Sequence, residues 1–137
     1  MSELRVGKMT RDEIESFEKI FGMMHGIHVE IGALAKKSPN DGINKFKLGF
    51  INASVRTANA ILVEGYLPFD DFDGFNPDDL PTNSDVTFII GQYLEELERM
   101  RADSIRPIPG SVRWVYKLPD GESHIYTAPP RKTGDRK

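Results

Sequence analysis

Apolar residues recur along the first third of the chain at alternating steps of three and four. Ile14, Phe17, Phe21, Met24, His28, Ile31 and Ala35 form one stripe, flanked by Ile20, Ile27 and Leu34, as an amphipathic helix requires. Thr10 precedes Glu13 by three residues, the spacing of a capping box, so a helix is predicted over residues 10–37. Ser38-Pro39-Asn40-Asp41 ends it, because Pro39 disfavours helical geometry at Ser38 and suits the first position of a following helix. The second segment repeats the pattern with Ile43, Phe46, Phe50, Ser54, Ala58, Ile61 and Leu62, widened by Ile51 and Val55. Lys45, Lys47, Asn52, Arg56 and Asn59 are expected on its outer face, and Gly65 offers a left-handed stop. A connection this short favours antiparallel neighbours, so the two segments are expected to form a long helical hairpin.

Residues 66–83 read YLPFDDFDGFNPDDLPTN and have no helical or strand period. A connection of this length is either functional or packed down by its own side chains. Its phenylalanines predict an ordered crossover with a short helical turn near Pro77-Asp78-Asp79-Leu80. Thr82 and Asp85 then repeat the capping spacing ahead of Val86, Ile89, Ile90, Tyr93, Leu94, Leu97 and Met100, a third helix ending near Asp103.

After Pro107 and Pro109 the period changes to two. Val112, Trp114, Tyr116 and Leu118 share one face, Arg113, Val115 and Lys117 the other, and Pro119-Asp120-Gly121 turns the chain into a returning strand, 122–128. The expected fold is α+β, mainly α: a long antiparallel helical hairpin plus a third helix, with a C-terminal β-hairpin. Residues 1–9 are expected to be a flexible arm, 10–128 a single α+β domain and 129–137 a disordered basic tail, lacking apolar residues to bury.

Charge changes this picture more than composition does. The net charge of −3 over 137 residues conceals a sorted distribution: residues 1–56 carry +2, residues 57–98 carry −10 without a single Lys or Arg, and residues 99–137 carry +5. Such a molecule can attract copies of itself or a polar partner and binds duplex nucleic acid poorly. The absence of cysteine excludes disulfides, thiolate metal sites and cysteine nucleophiles, and leaves the redox compartment undetermined. No apolar run of about 18 residues and no apolar signal core is present, so a cytoplasmic protein without a membrane partner is expected.

Four constellations carry candidate chemistry. In the acidic stretch, Phe69, Asp70, Asp71, Phe72, Asp73, Phe75, Asp78 and Asp79 interleave carboxylates with apolar anchors, a pattern for which a solvated acidic face is the plainer reading and docking on a basic protein surface the functional one. Asp71 and Asp73 match the first two ligand positions of a calcium loop, but Phe75 occupies the third and Gly74 arrives two residues early. Arg99, Arg106, Arg113, Trp114 and Tyr116 gather cations and aromatic faces that could hold a small anionic ligand such as a nucleotide, though without a glycine-rich cradle. His25 and His28, three apart with Glu30 nearby, are weak metal candidates, and a packed core histidine is the plainer reading of His28. Gly22 and Gly26, each costing a helix about 1 kcal/mol against alanine, either admit a close helix or are simply tolerated.

No nucleophile elbow, zinc-protease, phosphate-loop or dinucleotide motif occurs, so nothing supports an enzyme and no cofactor is expected. The leading expectation is a non-enzymatic adaptor or inhibitor acting through the acidic aromatic loop, of a kind common in bacteria and phages. The alternative is the nucleotide-binding protein, and third stands a metal-binding helical protein using His25, His28 and Glu30. A first helix of about 40 Å exceeds a domain with a radius of gyration of about 14 Å, so homodimerisation through Met23, Met24, Ile27 and Ile31 is also expected.

Overall fold

The structure, a computed structural model, describes residues 5–63, 65–118 and 124–131. Three helices and three short strands follow in the order α1 (Arg11–Lys37), α2 (Lys45–Ile61), a 3-10 turn (Pro77–Asp79), α3 (Asn83–Asp103), β1 (Ile105–Pro107), β2 (Trp114–Tyr116) and β3 (Tyr126–Thr127). The fold is mainly α with a small antiparallel sheet, as the periodicity predicts. Both capping boxes form: the Thr10 hydroxyl accepts from the Glu13 amide while the Glu13 carboxylate accepts from the Thr10 amide, and Thr82 and Asp85 do the same for α3.

The connection between α1 and α2 is pinned to the start of α3. The Asn83 side chain donates to the Ser38 carbonyl at 2.9 Å, and the amides of Asn83, Ser84 and Ile43 reach the carbonyls of Asp41, Pro39 and Pro81. This junction sets the topology. Since α1 ends and α3 begins at the same end of the molecule, α3 runs antiparallel to α1 and parallel to α2. The chain leaving α2 must therefore travel back along the whole helix before α3 can start, which is why the acidic crossover is long. The most extensive helix packing is of α1 on α3, with α2 completing the hairpin against α1.

Phe17, Met24 and Ile31 of α1, Val55 and Ala58 of α2, and Ile90, Tyr93 and Leu97 of α3 form the centre of the core. Met9 is buried and Val6 packs on this core, so the last residues of the expected arm belong to the domain. Residues 1–4, the turn at Pro119-Asp120-Gly121 and the tail beyond Arg131 lie outside the described residues.

Two expectations about faces are corrected. Phe46 and Phe50, expected in the α2 core stripe, are 77% and 62% exposed, while Leu48, Ile51, Ser54, Val55 and Ala58 are buried. Asn52 and Asn59, expected outside, are half-buried under the crossover loop. The expected β-hairpin is one half of a three-stranded sheet, ordered β1-β2-β3. Ile105 pairs with Tyr116 and Pro107 with Trp114, and the proline is tolerated because β1 is an edge. Tyr116 is buried and Trp114 half-buried as the alternation implies, but Val112 is 95% exposed and Val115, on the opposite face, is buried.

Candidate functional site

The crossover loop is folded by its own aromatic residues and by two asparagines of α2. Phe69, Phe72 and Phe75 are half-buried, with Phe72 edge-on to Phe69 at 5.9 Å and to Phe75 at 5.1 Å, and Phe69 and Phe72 tilted against the buried Tyr93. Asn52 donates to the Phe75 carbonyl at 2.9 Å and accepts from the Phe75 amide at 2.7 Å. Asn59 donates to the Phe72 carbonyl at 2.8 Å and accepts from the Tyr93 hydroxyl at 2.7 Å. Burial raises the proton affinity of that phenol, the Asn59 bond opposes the shift, and Asp73 adds to it. Gly74 adopts φ +151° with Asn52 Oδ1 3.1 Å from where a Cβ would stand, so only glycine fits the closest approach of loop to helix.

This arrangement divides the eight residues singled out from the loop. Asp70, Asp71, Asp73, Asp78 and Asp79 are all exposed, whereas the three phenylalanines anchor the loop to its own core. A partner would meet carboxylates, accompanied by Leu67 and Leu80, which are 37% and 71% exposed.

The arginine and aromatic cluster is not brought to one point. Arg99 lies over the Tyr66 ring at 4.3 Å and donates to Glu96 and to the Gly65 carbonyl. The Tyr66 hydroxyl donates to Asp103, and burial together with that carboxylate pushes its pKa up to about 12. Arg113 stacks over Tyr126 at 4.9 Å, and Arg106 is exposed on β1. Tyr116 is buried and donates to Glu18, its proton held by burial first and the carboxylate second. None of the five lines the grooves along α1. Arg101, which the sequence places in the same run of cations, is turned inward: it is buried, pairs with Glu98 at 2.8 Å and holds the strap 127–129 through Thr127, Ala128 and Pro129.

His25, His28 and Glu30 diverge. Glu30 pairs with Lys47 of α2 at 2.8 Å, while His28 turns to α3, its Nε2 only 3.2 Å from where a Cβ on Gly91 would lie. Burial, and secondarily His25, lower the proton affinity of His28 below its ordinary value. Among the described residues no group of three or more His, Asp or Glu side chains is placed to hold a metal ion. His28, Phe21, Phe88, Gly91 and Leu94 line an open groove of about 450 Å³ between α1 and α3, with Glu98 and Arg131 at one end. Among the described residues no neighbouring heavy atom lies within 4 Å of where a Cβ on Gly22 or Gly26 would stand, so no close approach of another described helix accounts for them. No helix among the described residues is long and apolar enough to cross a membrane.

The class these features define is a three-helix α+β domain that displays a prefolded acidic loop. Compared with protein-family models, with curated proteins and with solved structures, the chain matches none.

Proposed function

We propose that the chain is a non-enzymatic cytoplasmic adaptor or inhibitor that works as a homodimer and presents the acidic loop to a basic protein surface. One observation carries this reading: five exposed aspartates stand on a loop whose backbone is already fixed by Asn52, Asn59 and the Phe69, Phe72 and Phe75 cluster. A preorganised loop loses little conformational freedom on binding, so its charge is available for recognition. Carboxylates concentrated in this way speed the encounter with a cationic surface and repel a phosphate backbone, which directs the site to protein and away from duplex nucleic acid.

The test begins with capture of the partner from a lysate and its identification by mass spectrometry. The variant carrying Asp71→Asn, Asp73→Asn, Asp78→Asn and Asp79→Asn should then associate about tenfold more slowly or worse, with a flatter dependence on salt and a dissociation rate near wild type. Its helical circular dichroism should not change, because none of the four side chains packs on the core. Partner capture by this variant equal to that of the wild type sinks the proposal.

A further inference from the structure

The Glu30 carboxylate and the Lys47 ammonium meet at 2.8 Å, so the outer faces of α1 and α2 adjoin and form one surface. Met23, Ile27, Glu30 and Leu34 follow one another at helical spacing on that flank of α1. Lys47, Phe50 and Ile61 do so on α2, with Phe46 one turn before Phe50. Along this surface Met23 is 48% exposed, Leu34 37%, Phe46 77% and Phe50 62%, and the Phe46 and Phe50 rings pack edge to face at 5.0 Å. Scattered exposed hydrophobes need no explanation, but four large ones on two adjoining helix faces mark an interaction surface.

We propose that this face joins two copies of the chain about a two-fold axis, hairpin against hairpin. The inference rests on the homodimer part of the proposed function and is independent of the acidic loop. Three observations identify the occupant as a second copy. The first is charge: Glu30 and Lys47 neutralise each other within the chain, and the exposed aspartates stand on the Asn52 and Asn59 flank of α2, beyond the apolar face. A basic partner is therefore drawn to the aspartates and away from this face.

The second is shape. Phe46 and Phe50 occupy the first half of α2, and on the same side of its second half the exposed residues are the small Ala53, Thr57 and Ala60, with the exposed Arg56 turned toward the Asn52 and Asn59 flank. Antiparallel pairing across a two-fold seats the phenylalanines of each copy on the small half of the other, a self-complementary match. The third is area. A face about 25 Å long, from the 17 residues of α2, and about 20 Å across two helices covers about 500 Å² per copy. The pair then buries about 1,000 Å², the lower threshold of a biological interface and the size of a weak, reversible one. Of the four residues expected to join two copies, this face keeps Met23 and Ile27, while Met24 and Ile31 are buried within the chain.

Sedimentation of the full chain from about 1 to about 500 µM tests this, the wide range being chosen because an interface at the small end of the scale is weak and reversible. The wild type should reach twice the one-chain mass of 15.5 kDa. Phe46→Glu with Phe50→Glu should sediment as one chain, its dissociation constant raised at least a hundredfold, with unchanged helical circular dichroism. Because the chain has no cysteine, Ala53→Cys should cross-link to a covalent dimer on oxidation, whereas Ser84→Cys, exposed at the start of α3, should not. The four-aspartate variant should keep the dimer mass, which separates failure of the loop from failure of this face. A one-chain mass throughout, a dimer that survives the phenylalanine substitutions, or absence of the Ala53→Cys cross-link overturns the proposal.

Discussion

Glu98 and Arg101, one turn apart on α3, form an ion pair at 2.8 Å with side-chain exposures of 4% and 3%. The guanidinium donates twice to Glu98 and once each to the Thr127 hydroxyl and the Ala128 and Pro129 carbonyls, while Glu98 also accepts from the Arg131 amide. Burial opposes the charge of Arg101, and Glu98 holds it. The pair is thus the tie by which β3 and the segment after it are bound to the helices.

Removing one partner leaves the other charged, buried and unmatched. Arg101→Met should lower stability by about 3–5 kcal/mol and expose residues 124–131 to protease. Urea unfolding followed by circular dichroism measures the first, and limited proteolysis the second. A loss below about 1 kcal/mol, within the range of an exposed pair, would show that the tie does not hold in solution.

The loop depends on Asn59 in a similar way. Asn59→Ala removes both the acceptor of the Tyr93 hydroxyl and the donor to the Phe72 carbonyl, which should cost about 1–3 kcal/mol. Cleavage within residues 66–80 should rise before the helices unfold. Equal cleavage rates for variant and wild type would mean that the phenylalanines alone fix the loop.

Much of this architecture is legible in the sequence because local rules and tertiary packing agree. Thr10 with Glu13 and Thr82 with Asp85 place two helix starts correctly, whereas α2 begins at Lys45 with Asn44 as its cap, beyond Pro39, and ends at Ile61 with Leu62 as its cap, ahead of Gly65. Where two opposite faces of one helix are apolar, periodicity cannot say which faces inward, and Phe46 and Phe50 were assigned to the core for that reason. Asn52 and Asn59 lie seven residues apart on one side of α2. Their polarity suggests solvent, but a long crossover needs partners for its backbone groups, and that need is the signal that could have located them. Arg101 resembles any cation at a helix end, and its buried partner network spans about thirty residues of chain, beyond the reach of local pattern. β1 is three residues ending in proline, too short for a period to register.

Trp114 reports on the sheet. Its side chain packs on the core yet remains half-exposed, so native emission should lie between that of a buried indole and that of one in water, with partial quenching by acrylamide. Trp114→Ala should cost about 1–3 kcal/mol, less than the 3–5 kcal/mol typical of a fully buried aromatic residue. A fully blue-shifted, unquenched spectrum would place the indole inside the core instead.

Stability should fall as the solution is acidified through the range of His28. The imidazole packs against α3 at Gly91, beside His25 and the groove that also holds Glu98 and Arg131. Burial first and His25 second lower its folded proton affinity below the ordinary 6.5. As pH drops past the ordinary value, the unfolded chain takes up this proton while the folded chain resists it, so unfolding is favoured increasingly until the folded pKa is passed. Above the ordinary value neither state is protonated and His28 contributes no pH dependence. The melting temperature should therefore fall as the pH is lowered through the ordinary imidazole value of about 6.5, and His28→Gln, which cannot titrate, should flatten the slope whatever its own stability. His25→Gln should shrink the slope less, since it removes only the smaller of the two causes. Parallel slopes for wild type and His28→Gln would mean that His28 takes up its proton equally in the folded and unfolded states.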